Sequence, residues 1–192
     1  MRSYLFAAAI LFLSACNNAA EKPAAPPVTA AQEKPDFFPV TSYIKGQIKG
    51  IYDKKLNPIK YITVNDKTDS VFLKFEGLEQ EMTEFLHPEI DSASLASLFT
   101  ETKFLDQTIN AFTFTYDPKI KLPDTMQLNH WDVYIEPETG TVRRIYLTKR
   151  VAPDKTLQLT WQNNEWCKIV TIVSDKEGSS KVEKEEKISW DY

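Results

Sequence analysis

The chain has 192 residues, 42% hydrophobic and 26% charged, a globular composition in which one domain is expected beyond any export segment. Its formal charge of −4 at pH 7 offers no basic surplus of the kind that draws nucleic acid or an anionic lipid surface.

In chain order the first element is MRSYLFAAAILFLSAC. Arg2 and the amino terminus form a short positive region, and Tyr4 to Leu13 make a run of ten apolar residues. A bilayer span takes roughly 20 such residues, so the run has the length of a signal h-region and not of a transmembrane helix. Ser14 and Ala15 are small, as a signal peptidase requires, and Cys16 follows. Leu13-Ser14-Ala15-Cys16 resembles the lipobox of bacterial lipoproteins. The resemblance implies that residues 1–15 are removed and that Cys16 is lipidated on its thiol and acylated on its new amino terminus. One acyl chain binds a bilayer only marginally, at about 0.8 kcal/mol per buried methylene, whereas two or more hold firmly. The alternative is an ordinary secretory signal with an incidental cysteine. Asn17-Asn18 stand where an aspartate would favour the inner membrane, and no acidic cluster of the surface-export type follows. The outer membrane, periplasmic face, is the expected address.

Residues 17–35 hold four prolines, six alanines and no aromatic residue. Such a segment cannot bury enough apolar surface to offset its ordering entropy, so a disordered tether is expected, with a mean span of roughly 25 Å and about 60 Å when stretched. It serves as a spacer for partner search or as a plain separator. Residues 36–192 remain as a single globular domain. Loss of Arg2 leaves 22 Lys+Arg against 27 Asp+Glu, a side-chain charge of −5. With Cys16 lipidated, Cys167 has no disulfide partner; it lies in a strand-like stretch where core packing is expected.

Phe37 and Phe38 end the tether. Val40, Ile44, Ile48 and Ile51 recur at helical spacing, predicting a helix over 40–52. Gly46 and Gly50 lie four apart on it and suggest close packing against a sheet. Residues 59–64 and 70–75 are β-rich around 65–69, a hairpin signal. Leu78, Met82, Phe85 and Leu86 predict a second helix, stopped by His87-Pro88. Asp91 or Ser92 can cap a third, with Leu95, Leu98 and Phe99 on one face. From about residue 108 the period changes to two. Strands are predicted over 109–116, 128–135, 141–149, 156–161, 165–173 and 181–190, joined by turn residues at 137–140, 153–155, 163–164 and 177–180. Short connections imply antiparallel neighbours. The predicted fold is α+β: N-terminal helices and the hairpin packed on one face of a C-terminal antiparallel β-meander whose other face is wet.

No phosphate-binding glycine loop, nucleophile elbow, His-Glu-x-x-His or Cys-x-x-Cys pattern occurs, so no catalytic residue, cofactor or metal is assigned. His130 and Asp132 share one face of a strand, with Trp131 on the other, and such a pair can position a general base. No nucleophile accompanies it, and cross-strand polar pairing on a wet face explains it as well. Trp161 and Trp166 flank a tight connection and can face each other across it. The candidate ligand surface is therefore Trp131, Trp161 and Trp166 with His130 and Asp132, and core packing is the competing explanation for its aromatic residues.

Residues 131–142, WDVYIEPETGTV, are similar to the hairpin of PepSY-type domains, small extracytoplasmic modules thought to bind or inhibit partner proteins. The chain more broadly resembles small Bacteroidetes-type envelope lipoproteins. Together these readings point to a membrane-anchored, non-enzymatic binding or assembly module for an envelope protein, a peptide or a glycan. Two alternatives stay open: an envelope hydrolase using His130 and Asp132, and a structural spacer without ligand.

Overall fold

In the computed structural model the chain divides into two units, Met1–Gln32 and Glu33–Tyr192, and the structure describes residues 36–190, all within the second. The signal, Cys16, the tether and Tyr192 lie outside the described residues.

The described residues form α1 (Val40–Asp53), a hairpin of β1 (Ile59–Val64) and β2 (Lys67–Phe72), three short helices α2 (Leu78–Glu81), α3 (Thr83–Leu86) and α4 (Ser92–Leu95), and then seven strands. These are β3 (Phe99–Asp106), β4 (Ala111–Pro118), β5 (Leu128–Ile135), β6 (Val142–Ala152), β7 (Lys155–Gln162), β8 (Trp166–Ser174) and β9 (Ser180–Ser189). All nine strands make one antiparallel sheet of order β2-β1-β9-β8-β7-β6-β5-β4-β3. The meander thus runs through consecutive strands from β3 to β9, and the fold is sheet-dominated.

Two features depart from the predicted architecture. The hairpin does not pack on a face. It extends the sheet in its own plane, with Ile59 opposite Ser189 and Tyr61 opposite Lys187. β9 offered an open edge, and pairing with it satisfies a row of backbone groups that packing on a face would leave bare. Among the N-terminal helices only α1 has substantial length. The predicted second helix breaks at Met82 into α2 and α3, and Phe99, expected on a helix, begins β3.

α1 forms because Val40, Ile44, Ile48 and Ile51 make one stripe, and all four are buried. The stripe joins Leu78, Met82, Phe85 and Ile90 over the inner face of the sheet, where Trp131, Val133, Ile145, Leu147, Leu159, Trp161 and Cys167 complete the core. Gly46 and Gly50 do not mark close approach: a Cβ added at either would meet no atom within 4 Å. Polar ties fix the helical layer instead. Ile90 N–H donates to the buried Thr41 hydroxyl at 2.9 Å, and Tyr43 Oη donates to Asn163 Oδ1 at 2.7 Å. Lys60 Nζ joins Glu81 of α2 at 2.6 Å to Glu186 of β9 at 2.9 Å. Lys149, buried on β6, holds Glu84 of α3 at 2.9 Å and donates to its carbonyl as well. Asp91 caps α4 by accepting Ser94 N–H at 2.9 Å.

Candidate functional site

The inner face settles the position of three tryptophans. Trp131 and Trp161 are 0% exposed and Trp190 3%. Trp131 stacks on Tyr116 with centroids 4.5 Å apart and meets Phe99 edge-on at 4.7 Å; Trp161 contacts Phe85 at 5.4 Å and Trp190 at 5.2 Å. Trp131 and Trp161 therefore belong to the closed core and leave the candidate ligand surface, because inward strand parity and the helical cover remove them from solvent. Trp166 stays. It pairs with Gln162, while Trp161 pairs with Cys167, so the two indoles stand on opposite faces and do not meet across the turn.

His130 and Asp132 lie on the outer face of β5, as their spacing implies. Register brings β4 beside them: Thr115 opposite Asp132, Thr113 opposite Tyr134 and Tyr116 opposite Trp131. His130 Nε2 sits 3.0 Å from Asp132 Oδ2, and Nδ1 sits 2.8 Å from Asp117 Oδ1. Thr115 donates to Asp132 Oδ1 at 2.7 Å, and Tyr134 Oη donates to Oδ2 at 3.2 Å. The imidazole is clamped between two carboxylates, and Asp132 has a partner on each oxygen.

The clamp sets the electrostatics. The Asp132 hydrogen bond raises the His130 pKa from 6.5 to about 9; burial works against this and Asp117 adds to it. Burial would raise the Asp132 pKa, but its bonds to His130 and Thr115 outweigh that and hold it below the ordinary aspartate value. At neutral pH His130 is therefore an imidazolium with both N–H groups engaged. A general base needs a free nitrogen within reach of the proton it takes, and His130 has none in this arrangement. Thr115, the adjacent hydroxyl, bonds to the carboxylate and not to the imidazole. The thiol of Cys167 faces the core at 2% exposure, and burial pushes its pKa well above the ordinary thiol value. The geometry suits a cross-strand clasp between β4 and β5.

Asp117 and Thr115 were not singled out from the sequence, and Tyr134 was noted as an aromatic residue and not as a partner of Asp132. The Thr113-Phe114-Thr115-Tyr116-Asp117 alternation places Asp117 on the Thr115 face, and Tyr134 shares the parity of His130 and Asp132, but neither pattern says which strand lies beside the other. Among the described residues no group of three or more His, Cys, Asp or Glu side chains is disposed to hold a metal ion. A cleft of about 880 Å³ opens elsewhere, between the loop carrying Leu122 and Met126 and the β6–β7 turn at Pro153. Comparison of the chain with protein-family models, curated proteins and solved structures finds no match.

Proposed function

We propose that the chain is an outer-membrane lipoprotein, acylated at Cys16, whose residues 17–35 tether a non-enzymatic binding or assembly module to the periplasmic face. The observation that carries this reading is the LSAC string, which ends a short apolar export segment at a cysteine and leads into a proline- and alanine-rich run before the folded residues. No helix among the described residues is long and apolar enough to cross a membrane, and a lipidated Cys16 gives attachment that needs none. The closed His130 clasp supports binding over hydrolysis, and the partner is an envelope protein, peptide or glycan.

Metabolic labelling with radioactive palmitate tests the anchor. The parent chain is expected to carry label and sediment with membranes, and Cys16→Ala to lose the label and move to the soluble fraction. Retention of the Cys16→Ala chain on the membrane would defeat the anchor. Hydrolysis of peptidoglycan, ester or glycan substrates that disappears in His130→Ala would defeat the non-enzymatic reading.

A further inference from the structure

The outer face of the sheet carries a second cluster, which adjoins the His130 clasp where Tyr146 stands opposite Asp132 and Arg144 opposite Tyr134 and runs from there toward β1. Strand register sets its side chains in transverse rows. One row runs Tyr61, Lys187, Lys168, Thr160 and Tyr146 across β1, β9, β8, β7 and β6. The row beside it contains Trp166, Gln162 and Arg144. With strands about 4.8 Å apart, the five-strand row is about 19 Å long.

Lys168 and Lys187 stand directly opposite each other on neighbouring strands. Like charges so placed destabilise a sheet. The two side chains splay apart, Lys168 Nζ toward Glu185 at 3.5 Å and Lys187 Nζ over the Trp166 ring at 5.1 Å. Arg144 is exposed, and its Nε–H donates to Gln162 Oε1 at 3.2 Å. Neither Arg144 nor Lys187 has a carboxylate partner among the described residues. On the inner face, by contrast, Lys60 and Lys149 are each held by glutamate. A chain of net charge −4 thus concentrates loosely partnered cations on one stretch of open sheet.

We infer that this stretch is a docking surface for an acidic polysaccharide, whose carboxylates sit among Lys168, Lys187 and Arg144 and whose rings lie along Trp166, Tyr61 and Tyr146. Charge complementarity selects an anion. The row geometry selects a sugar polymer: Thr160 and Gln162 stand between cations and aromatic rings and offer hydrogen bonds to ring hydroxyls along a line, as a linear glycan requires. A lipid surface fits less well, because Trp166 is half-buried beneath Lys187 and does not project for insertion. The inference deepens the binding-module reading and rests on it.

Calorimetric titration of the full chain in detergent tests it, with polygalacturonate as probe and dextran, polyglutamate and glycerol 3-phosphate in separate arms. Polygalacturonate is expected to bind saturably, to weaken as salt rises, and to bind more tightly than the other three. The double variant Lys168→Gln/Lys187→Gln should bind about tenfold or more weakly, Arg144→Gln should also lose affinity, and Lys176→Gln in the β8–β9 turn should match the parent. Because the double variant removes a like-charge pair, its Tm should equal or exceed the parent's. Absence of polygalacturonate binding, equal binding of any other probe, unchanged affinity in the double variant, or a lowered Tm there would overturn the proposal. Palmitate labelling at Cys16 and cross-linking to an envelope partner report separately on the broader reading, so either can fail alone.

Discussion

At the scale of single residues, His130 shows how environment decides what a side chain can do. A histidine beside an aspartate reads as chemistry in a sequence, yet a second aspartate from the next strand turns it into a fixed cation. The linkage has a definite sign. His130 has a raised pKa in the fold, so the stability it contributes is fully present below its ordinary pKa of 6.5 and is lost as pH rises toward about 9. Thermal unfolding of the parent should therefore show Tm falling across that window, and His130→Gln should flatten that part of the profile. An imidazole titration followed by NMR should place the His130 midpoint near 9. A midpoint near 6.5, with no difference between the two Tm profiles, would dissolve the clasp. Asp132 acts in the opposite window: its lowered pKa gives stability that is lost as pH falls into the carboxylate range.

At the scale of elements, α1 carries a correctable weakness. Gly46 is exposed and Gly50 half-buried, and a methyl group added at either would meet no atom within 4 Å. Glycine inside a helix costs about 0.5–1 kcal/mol relative to alanine, so Gly46→Ala and Gly50→Ala should each raise unfolding free energy by about that amount in urea titrations. A loss of stability would mean that α1 needs those positions bare. Elements with strong local signatures were legible in the sequence: α1 through its isoleucine stripe, and β4 to β9 through period-two patterning and turn residues. β3 was not, because it is an edge strand with Phe99 as its one fully buried residue and the rest of its length polar or exposed. The split of the second helix and the in-plane hairpin were equally illegible, since both depend on what lies beside them in space. Val182 shows the same limit. Parity from Ile188 sends it inward, but a register shift between Thr171 and Ile172 turns it out, and it is 60% exposed. For the candidate site, spacing alone put His130 and Asp132 on one face, whereas cross-strand register supplied Asp117 and removed Trp131 and Trp161.

At the scale of the whole molecule, the fold closes through its most distant pairing. β1 joins β9, so the chain's early hairpin docks only after the meander has presented its last strand. The core under α1 is continuous from Phe37 to Trp190, which argues that the described residues unfold together and not in pieces. Cys167 reports on this directly. It sits on β8, opposite Trp161 and Ile188, and is 2% exposed. In the full chain carrying Cys16→Ala it is the one thiol present, since the sequence has two cysteines. A thiol reagent should therefore react at a rate set by the population of the open chain. Ile48, 1% exposed on α1 in the layer facing the sheet, supplies the perturbation. Ile48→Ala removes buried methyl groups and leaves a cavity, at a cost of about 2–5 kcal/mol. If opening is global, a cost of about 3 kcal/mol multiplies the Cys167 reaction rate about 100-fold, because each 1.4 kcal/mol is a factor of ten. The rate increase should match the stability loss measured in urea across several α1 variants. A Cys167 rate that ignores Ile48→Ala while the urea midpoint falls would show that β8 opens independently of the helical layer, and would divide the core in two.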